Sequence, residues 1–290
     1  MKQDTSWGEV SDWYDELLET DSDSYQAKVI LPNILRIVAP ASGVTVFDAA
    51  CGQGFFSRAF ATEGANVVAS DISKELIGRA QEREDKEVAN KGHHKHSLRE
   101  PIEYHVSPAE KAEFLSDKSV DVQTIVLAIQ NIRAIDPVFA EAARVLNDNG
   151  RLVFVMNHPA FRIPKASGWG FDERTAAGNV GATQYRRIDA YMSESSSEII
   201  MNPGKVAQTQ GQAAQSQAQG RTDAALKTVS FHRPLQVYIK ALTKAGFVVS
   251  RLEEWISHKK SEAGPRQEAE DSARKEIPLF LCIEARKKLQ

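Results

Sequence analysis

The sequence holds only two cysteines, Cys51 and Cys282, placed far apart in a chain of 290 residues. So few thiols exclude a disulfide framework and point to a reducing compartment, with the cytoplasm as the expected location. Long apolar runs are also missing. The longest, such as Val120–Ile129 and Leu152–Met156, fall well short of the roughly 20 apolar residues that a membrane span needs. The first residues, Met1-Lys2-Gln3-Asp4-Thr5-Ser6-Trp7, lack an apolar stretch, so no secretory leader is expected. Charge of one sign is scarce as well: 36 Lys and Arg stand against 39 Asp and Glu, a net charge of −3. Proteins that bind nucleic acid draw much of their affinity from cations set against phosphates. Here the basic residues are scattered and matched by acids, so no nucleic-acid partner is expected. No internal repeat is visible.

What is present suits a globular α/β protein. Hydrophobic residues make up 42% of the chain, enough for a sizeable core. Two N-terminal stretches have helical spacing: one through Trp7, Val10, Trp13, Tyr14, Leu17 and Leu18, and one from Tyr25 to Val38. From Thr45 the rhythm becomes strand, helix, strand. Strands are predicted at Thr45–Phe47, Asn66–Ser70, Ile102–Val106, Val120–Ala128 and Leu152–Met156. Helices are predicted at Phe55–Glu63 with Gly64 as its stop, from the N-cap Ser73 to about Arg83, and from Asp136-Pro137 to about Leu146. Several of the strands are continuously apolar, which argues for a parallel sheet covered on both faces. The pattern breaks after Met156 and resumes with a helix at Leu235–Ala245, strands at Phe247–Leu252 and Leu279–Glu284, and a polar connection, Ser257–Lys275, between those strands. Inside the break, Gln208–Gly220 is nearly all Gln, Ala, Ser and Gly, and it is expected to be disordered or a floppy hairpin tip.

The sharpest chemical signal is Val46-Phe47-Asp48-Ala49-Ala50-Cys51-Gly52-Gln53-Gly54-Phe55. A strand runs into a Gly-x-Gly turn that opens a helix, which brings backbone amides up to a nucleotide-like ligand. A tight turn without a ligand would use the same glycines. Asp71 sharpens the reading, because it ends the second strand 17 residues after Gly54. A carboxylate there can accept both hydroxyl hydrogens of a ribose. Asp48 at the mouth of the turn would repel a dinucleotide pyrophosphate but would favour a cationic ammonium. Ser57 also replaces the third glycine of the dinucleotide fingerprint.

From Val44 to Met156, and again at His232-Arg233-Pro234-Leu235 and Ala245-Gly246-Phe247, the sequence resembles the class I S-adenosylmethionine-dependent methyltransferases of small-molecule type, including those of ubiquinone and menaquinone biosynthesis. The resemblance implies a doubly wound Rossmann-like sheet of seven strands, in the order 3-2-1-4-5-7-6 with the last strand antiparallel, carrying an inserted cap. The expected divisions are an N-terminal helical lid over 1–43, a cofactor domain over 44–156 and 233–290, and an inserted substrate cap over 157–232 with a flexible Gln- and Ala-rich segment at 204–223. The cofactor would be S-adenosyl-L-methionine. Asp48, Ala50, Gly52 and Gly54 would surround its methionine end, Asp71 its ribose, and Ile72 its adenine. Ala109 would offer its backbone to the adenine edge, because Pro108 stands where the family often has an acidic residue. Ala128 and the N-terminal Tyr14 would also border the cofactor. Gln130, in place of a frequent His-His stretch, would line the transfer site.

Other residues carry two readings each. His158 and His232 lie on the carboxyl edge of the sheet, either as base or acceptor contact or as hydrogen-bonded structural histidines. His93, His94 and His96 lack supporting carboxylates or cysteines, so a solvated loop is expected and no metal. In the cap, Trp169, Phe171, Tyr185, Arg186, Arg187 and Tyr191 form either a satellite core or an acceptor-selecting lid, with Tyr185, Arg186 and Tyr191 as the substrate candidates. The expected activity is methyl transfer to an O, N or C atom of a small molecule. The alternatives are an NAD-dependent oxidoreductase on a similar fold and a non-catalytic cofactor-binding partner subunit. RNA or protein methylation is disfavoured by the negative charge.

Overall fold

The computed structural model describes residues 22–90, 100–172, 183–200 and 227–288. The predicted Trp7–Leu18 helix with Tyr14, the histidines His93, His94 and His96, and the Gln208–Gly220 tract lie outside the described residues.

The first described helix is continuous but irregular. A π-helical turn, Gln26–Ile30, passes into α1 (Leu31–Val38). Pro32 lacks a backbone donor, and just before it the Leu31 amide reaches back to the Gln26 carbonyl. The alternating units follow: β1 (Thr45–Ala49), α2 (Phe55–Thr62), β2 (Asn66–Asp71), α3 (Lys74–Asn90), β3 (Glu103–Val106), β4 (Val120–Val126), α4 (Ile135–Val145) and β5 (Leu146–Asn157). Two antiparallel ribbons interrupt them, β6 (Ser167–Asp172) with β7 (Thr183–Ile188), and β8 (Ser195–Ile200) with β9 (Lys227–His232). The chain then returns through α5 (Leu235–Lys244), β10 (Phe247–Trp255), α6 (Gln267–Glu276) and β11 (Phe280–Lys287).

The main sheet runs β3-β2-β1-β4-β5-β11-β10, with β11 antiparallel to both neighbours. Without the four ribbon strands this is the expected order 3-2-1-4-5-7-6. Its central strands are buried on both faces because alternate side chains enter separate cores. Phe47 shares one core with Phe139, Phe154, Tyr238 and Ile283. Val46 shares the other, on the opposite face, with Ile34, Phe60, Val153 and Cys282. The two cysteines are free thiols.

The local stop signals behave as their chemistry requires. Gly64 follows α2 at φ 99°, and the Ser73 hydroxyl accepts the Leu76 amide at the start of α3. Several bounds differ from expectation, with α3 running on to Asn90 and β10 to Trp255. β5 begins at Leu146 rather than Leu152, and the polar connection contains α6, of which only Ala273 is buried. That helix has almost no apolar stripe. It packs against β7 instead, with Arg266 over the Phe171 ring at 4.5 Å. Among the described residues, no helix is long and apolar enough to cross a membrane.

Candidate functional site at the carboxyl edge of the sheet

The turn after β1 is shaped by three left-handed residues at alternate positions, Ala50 (φ 55°), Gly52 (φ 58°) and Gly54 (φ 77°). Gly54 is obligatory on two counts. Its φ is costly for a side chain, and an added Cβ would stand 2.6 Å from the Tyr104 hydroxyl. Gly52 is open instead, since a Cβ there meets nothing within 4 Å. The turn is tied to β2 at two points. The Cys51 amide donates to the Ser70 carbonyl at 2.9 Å, and the Gly52 amide donates to Asp71 Oδ2 at 2.9 Å. Asp71 Oδ1 accepts the Ser73 amide at 2.9 Å, which fixes the carboxylate where the strand ends. Burial raises the Asp71 pKa above the usual carboxylate range, while the Ser73, Gly52 and Ile72 amides pull it down. Each carboxylate oxygen keeps a further lone pair, since an ionised carboxylate offers about four acceptor positions.

Asp48 sits differently from expectation. It is 2% exposed and lies inside the turn rather than at its mouth. Its Oδ2 accepts the Ser57 hydroxyl at 2.6 Å and its Oδ1 accepts the Thr124 hydroxyl at 2.8 Å. Burial raises its pKa to about 6, against the lowering effect of these two hydroxyls and with a small further rise from the negative Asp71. The serine that replaces a glycine of the dinucleotide pattern is therefore a ligand to Asp48. Thr124 is a polar residue inside an apolar strand, and that misfit was the available signal for it.

The neighbouring residues fall in order along the same edge. Ile72 is half-buried beside Asp71, and Ala109 is buried just beyond β3. At the exit of β4, Leu127 is held at φ 55°, unusual for a bulky residue and characteristic of functional sites. Its amide donates to the Val155 carbonyl at 2.8 Å. Its carbonyl accepts Gln130 Nε2 at 2.7 Å. Ala128, which follows Leu127, is partly buried against the core. Gln130 Oε1 is buried without a partner.

Strand β9 packs against this Ile129–Asn131 turn. Its inward residues are Thr228, Ser230 and His232, all buried, while Val229 between them is 39% exposed. A ribbon normally buries its apolar face, so this inversion marks a polar lining rather than a packing surface. Thr228 Oγ1 is buried and unpartnered. His232 Nε2 faces the Tyr191 carbonyl at 2.8 Å, which makes that nitrogen the donor. The Tyr191 hydroxyl accepts the Leu235 amide at 3.0 Å at the start of α5. Thr228 and Ser230 were legible only through the alternation of β9, which lies in a stretch with no other motif.

His158 is further along the edge, and both its ring nitrogens are occupied. Nδ1 accepts the Ala160 amide at 3.2 Å, so Nε2 donates to Glu254 at 2.7 Å. Burial lowers its pKa, with Glu254 opposing. Tyr185 and Arg186 are on the β6–β7 ribbon. Tyr185 lies over Gly170, its cross-strand partner, and Arg186 covers the Trp169 ring at 5.1 Å. Apart from His158, the predicted polar residues and glycines thus fall into three groups: Asp48, Gly52, Gly54 and Asp71 at the turn; Gln130, Tyr191 and His232 around β9; and Tyr185 with Arg186 on the other ribbon. Among the described residues, no cluster of His, Cys, Asp or Glu has metal-binding geometry.

Residues 47–154 match the family described as "Methyltransferase domain". A malonyl-[acyl-carrier protein] O-methyltransferase of Pectobacterium atrosepticum is 26% identical over 149 residues, 51% of this chain and 50% of that protein. A demethylmenaquinone methyltransferase of Thermobifida fusca is 30% identical over 131 residues, 44% of this chain and 51% of that protein. The chain therefore spans about half the length of these curated relatives. The crystal structure of an S-adenosylmethionine dependent methyltransferase from Mesorhizobium loti superposes with a TM-score of 0.60 at 21% identity, covering 91% of this chain and 98% of that one. The matched segment lies within the sheet of the expected strand order, so residues 47–154 resemble a methyltransferase domain and the chain shares the fold of the Mesorhizobium loti structure.

Proposed function

We propose that this protein transfers a methyl group from S-adenosylmethionine to an O, N or C atom of a small-molecule acceptor. One observation carries the reading: Asp71 is pinned by two backbone amides at the end of β2, beside the open side of Gly52. That arrangement suits a ribose, whose two hydroxyls would take the lone pairs left on the carboxylate. Half-buried Ile72 and the Ala109 backbone would flank the adenine. Asp48 would act through the turn, with an ammonium above it favouring the ionised form that burial opposes.

The bound cofactor supplies a methyl group already activated by its sulfonium, so the protein's work is alignment and exclusion of water. The segments between 157 and 232 would form the acceptor cap, and the N-terminal segment a lid. Where the acceptor arrives protonated, a base is required. His158 already has both nitrogens engaged, whereas a neutral His232 retains Nδ1 as an acceptor, which favours His232. The names of the two relatives point to different acceptors, so neither is transferred to this chain. The net charge of −3 supports a small molecule over a nucleic acid.

Calorimetric titration with S-adenosylmethionine, S-adenosylhomocysteine and NADH tests the proposal. Binding of the first two at about micromolar affinity, without NADH, supports it. Tight binding of NADH, or no binding of either sulfur compound, overturns it.

A further inference from the structure

The segment leaving β5 brings two guanidinium groups together with no acid paired to them among the described residues. Arg162 follows the end of β5 by five residues. It donates from Nη1 to Asn157 Oδ1 at 2.7 Å and lies over the Phe280 ring at 5.4 Å. Asn157 and Phe280 are register partners, so this arginine stands on the same carboxyl edge as the glycine turn. Arg186 reaches it from the β6–β7 ribbon. It donates from Nε to the carbonyl of Phe161, the residue before Arg162, at 2.7 Å, and from Nη2 to Ser167 Oγ at 2.9 Å. Both arginines are half-buried, and neither forms an ion pair with a described residue.

Two like charges withdrawn from water, with no counter-ion among the described residues, are unfavourable on both counts. Burial pulls the pKa of Arg162 down, the Tyr25 hydroxyl opposes this, and the positive Arg186 adds to the fall. Burial alone lowers that of Arg186. Neither arginine uses all its donors, and their surroundings are the rings of Phe280 and Trp169. Planar forks between aromatic walls match a carboxylate attached to an apolar body.

We propose that Arg162 and Arg186 form an anchor for a carboxylate carried by the methyl acceptor. That the anion belongs to the acceptor rests on the methyltransferase reading; that two guanidinium groups hold an anion here does not. The same chemistry has a second source, the carboxylate at the methionine end of the cofactor.

Titrating the protein saturated with S-adenosylhomocysteine separates the two sources, using sodium benzoate, neutral benzamide and sodium phosphate as probes. Benzoate should bind saturably, more tightly than phosphate, and benzamide should not bind. Arg162→Gln and Arg186→Gln should each weaken benzoate about tenfold or more, with S-adenosylhomocysteine affinity held within about twofold. Retained cofactor binding certifies the fold, and Arg186→Lys, which keeps the charge, should lose less than Arg186→Gln. Absent benzoate binding, equal binding of benzamide, tighter binding of phosphate, or indifference to both glutamine variants overturns the anchor. A parallel fall in S-adenosylhomocysteine affinity overturns the acceptor assignment in favour of the cofactor's own carboxylate. If the unaltered protein fails to bind S-adenosylhomocysteine, the methyltransferase reading falls, and the benzoate titration of the unliganded protein still decides the anion site.

Discussion

At the glycine turn, β1 and β2 bury Val46, Phe47, Val67 and Ala69 and present polarity through backbone amides and two carboxylates. The β8–β9 ribbon, on the same sheet edge, is built the other way round. Thr228, Ser230 and His232 point inward, and Val229 is left to solvent. The first region derives its rigidity from apolar burial, so its polar groups can be few and fixed. The second gains little from burial, because its inner face carries hydroxyls and an imidazole. Its stability depends on pairing between strands and on ties such as the His232 bond to Tyr191. The contrast fits a site in which a constant ligand is held by backbone and a variable one by side chains.

The comparison breaks most visibly in the sheet. Phe154 is fully buried in the core that holds Phe139 and Tyr238, so Phe154→Ala should cost about 3–5 kcal/mol in denaturant unfolding. A loss under about 1 kcal/mol would show that the sheet is not held by apolar burial.

Asp48 gives the next largest effect. Its pKa in the folded protein, raised to about 6, lies above the unfolded value, so the folded state holds the proton more tightly between the two. Stability is then greatest below the unfolded pKa and falls as pH rises through about 6. Asp48→Asn should remove this slope, leaving the variant up to about 3 kcal/mol more stable relative to the parent at pH 7.5 than at pH 4. Parallel stability curves across that range would show that Asp48 is not a buried, destabilising charge.

Asp71→Ala should leave folding nearly intact and weaken S-adenosylhomocysteine binding by about 1–3 kcal/mol. Unchanged affinity would remove the ribose contact. The smallest stability effect belongs to the ribbon. Thr228 has an unpartnered buried hydroxyl, so Thr228→Val should change stability by less than about 1 kcal/mol, in the stabilising direction. If it destabilised as strongly as a core truncation, the inner face would be a packing surface and the contrast would fail.

The sheet was legible because β5 is continuously apolar over Leu152–Met156, β1 and β2 hold short apolar or β-branched runs, and its turns carry Gly52, Gly54, Gly64 and Ser73 where left-handed backbone or caps are needed. The strand order came through resemblance rather than periodicity. At the site, the position of Asp71 at the strand end was readable from its spacing, but its pinning by the Gly52 and Ser73 amides was not. The burial of Asp48 was not, because it depends on Ser57 and Thr124, nine and 76 residues away. α6 was hidden because charged residues fill it and its support comes from β7. A single arginine in a loop, such as Arg162, carries no sequence pattern; it acquires meaning only when Arg186 arrives from another strand.

The position of β11 has a consequence for synthesis. It lies between β5 and β10 although it follows both in the chain, so β10 has no partner until the later strand emerges. Until then Leu152–Met156, sealed in the finished sheet, forms an open apolar edge of the kind that recruits strands from other chains. Premature termination or a proteolytic cut within Ser257–Lys275 would leave the translation product with that edge exposed. The final strand is thus also a safeguard against aggregation, and losing it should make the nascent chain a client for chaperones before any question of catalysis arises.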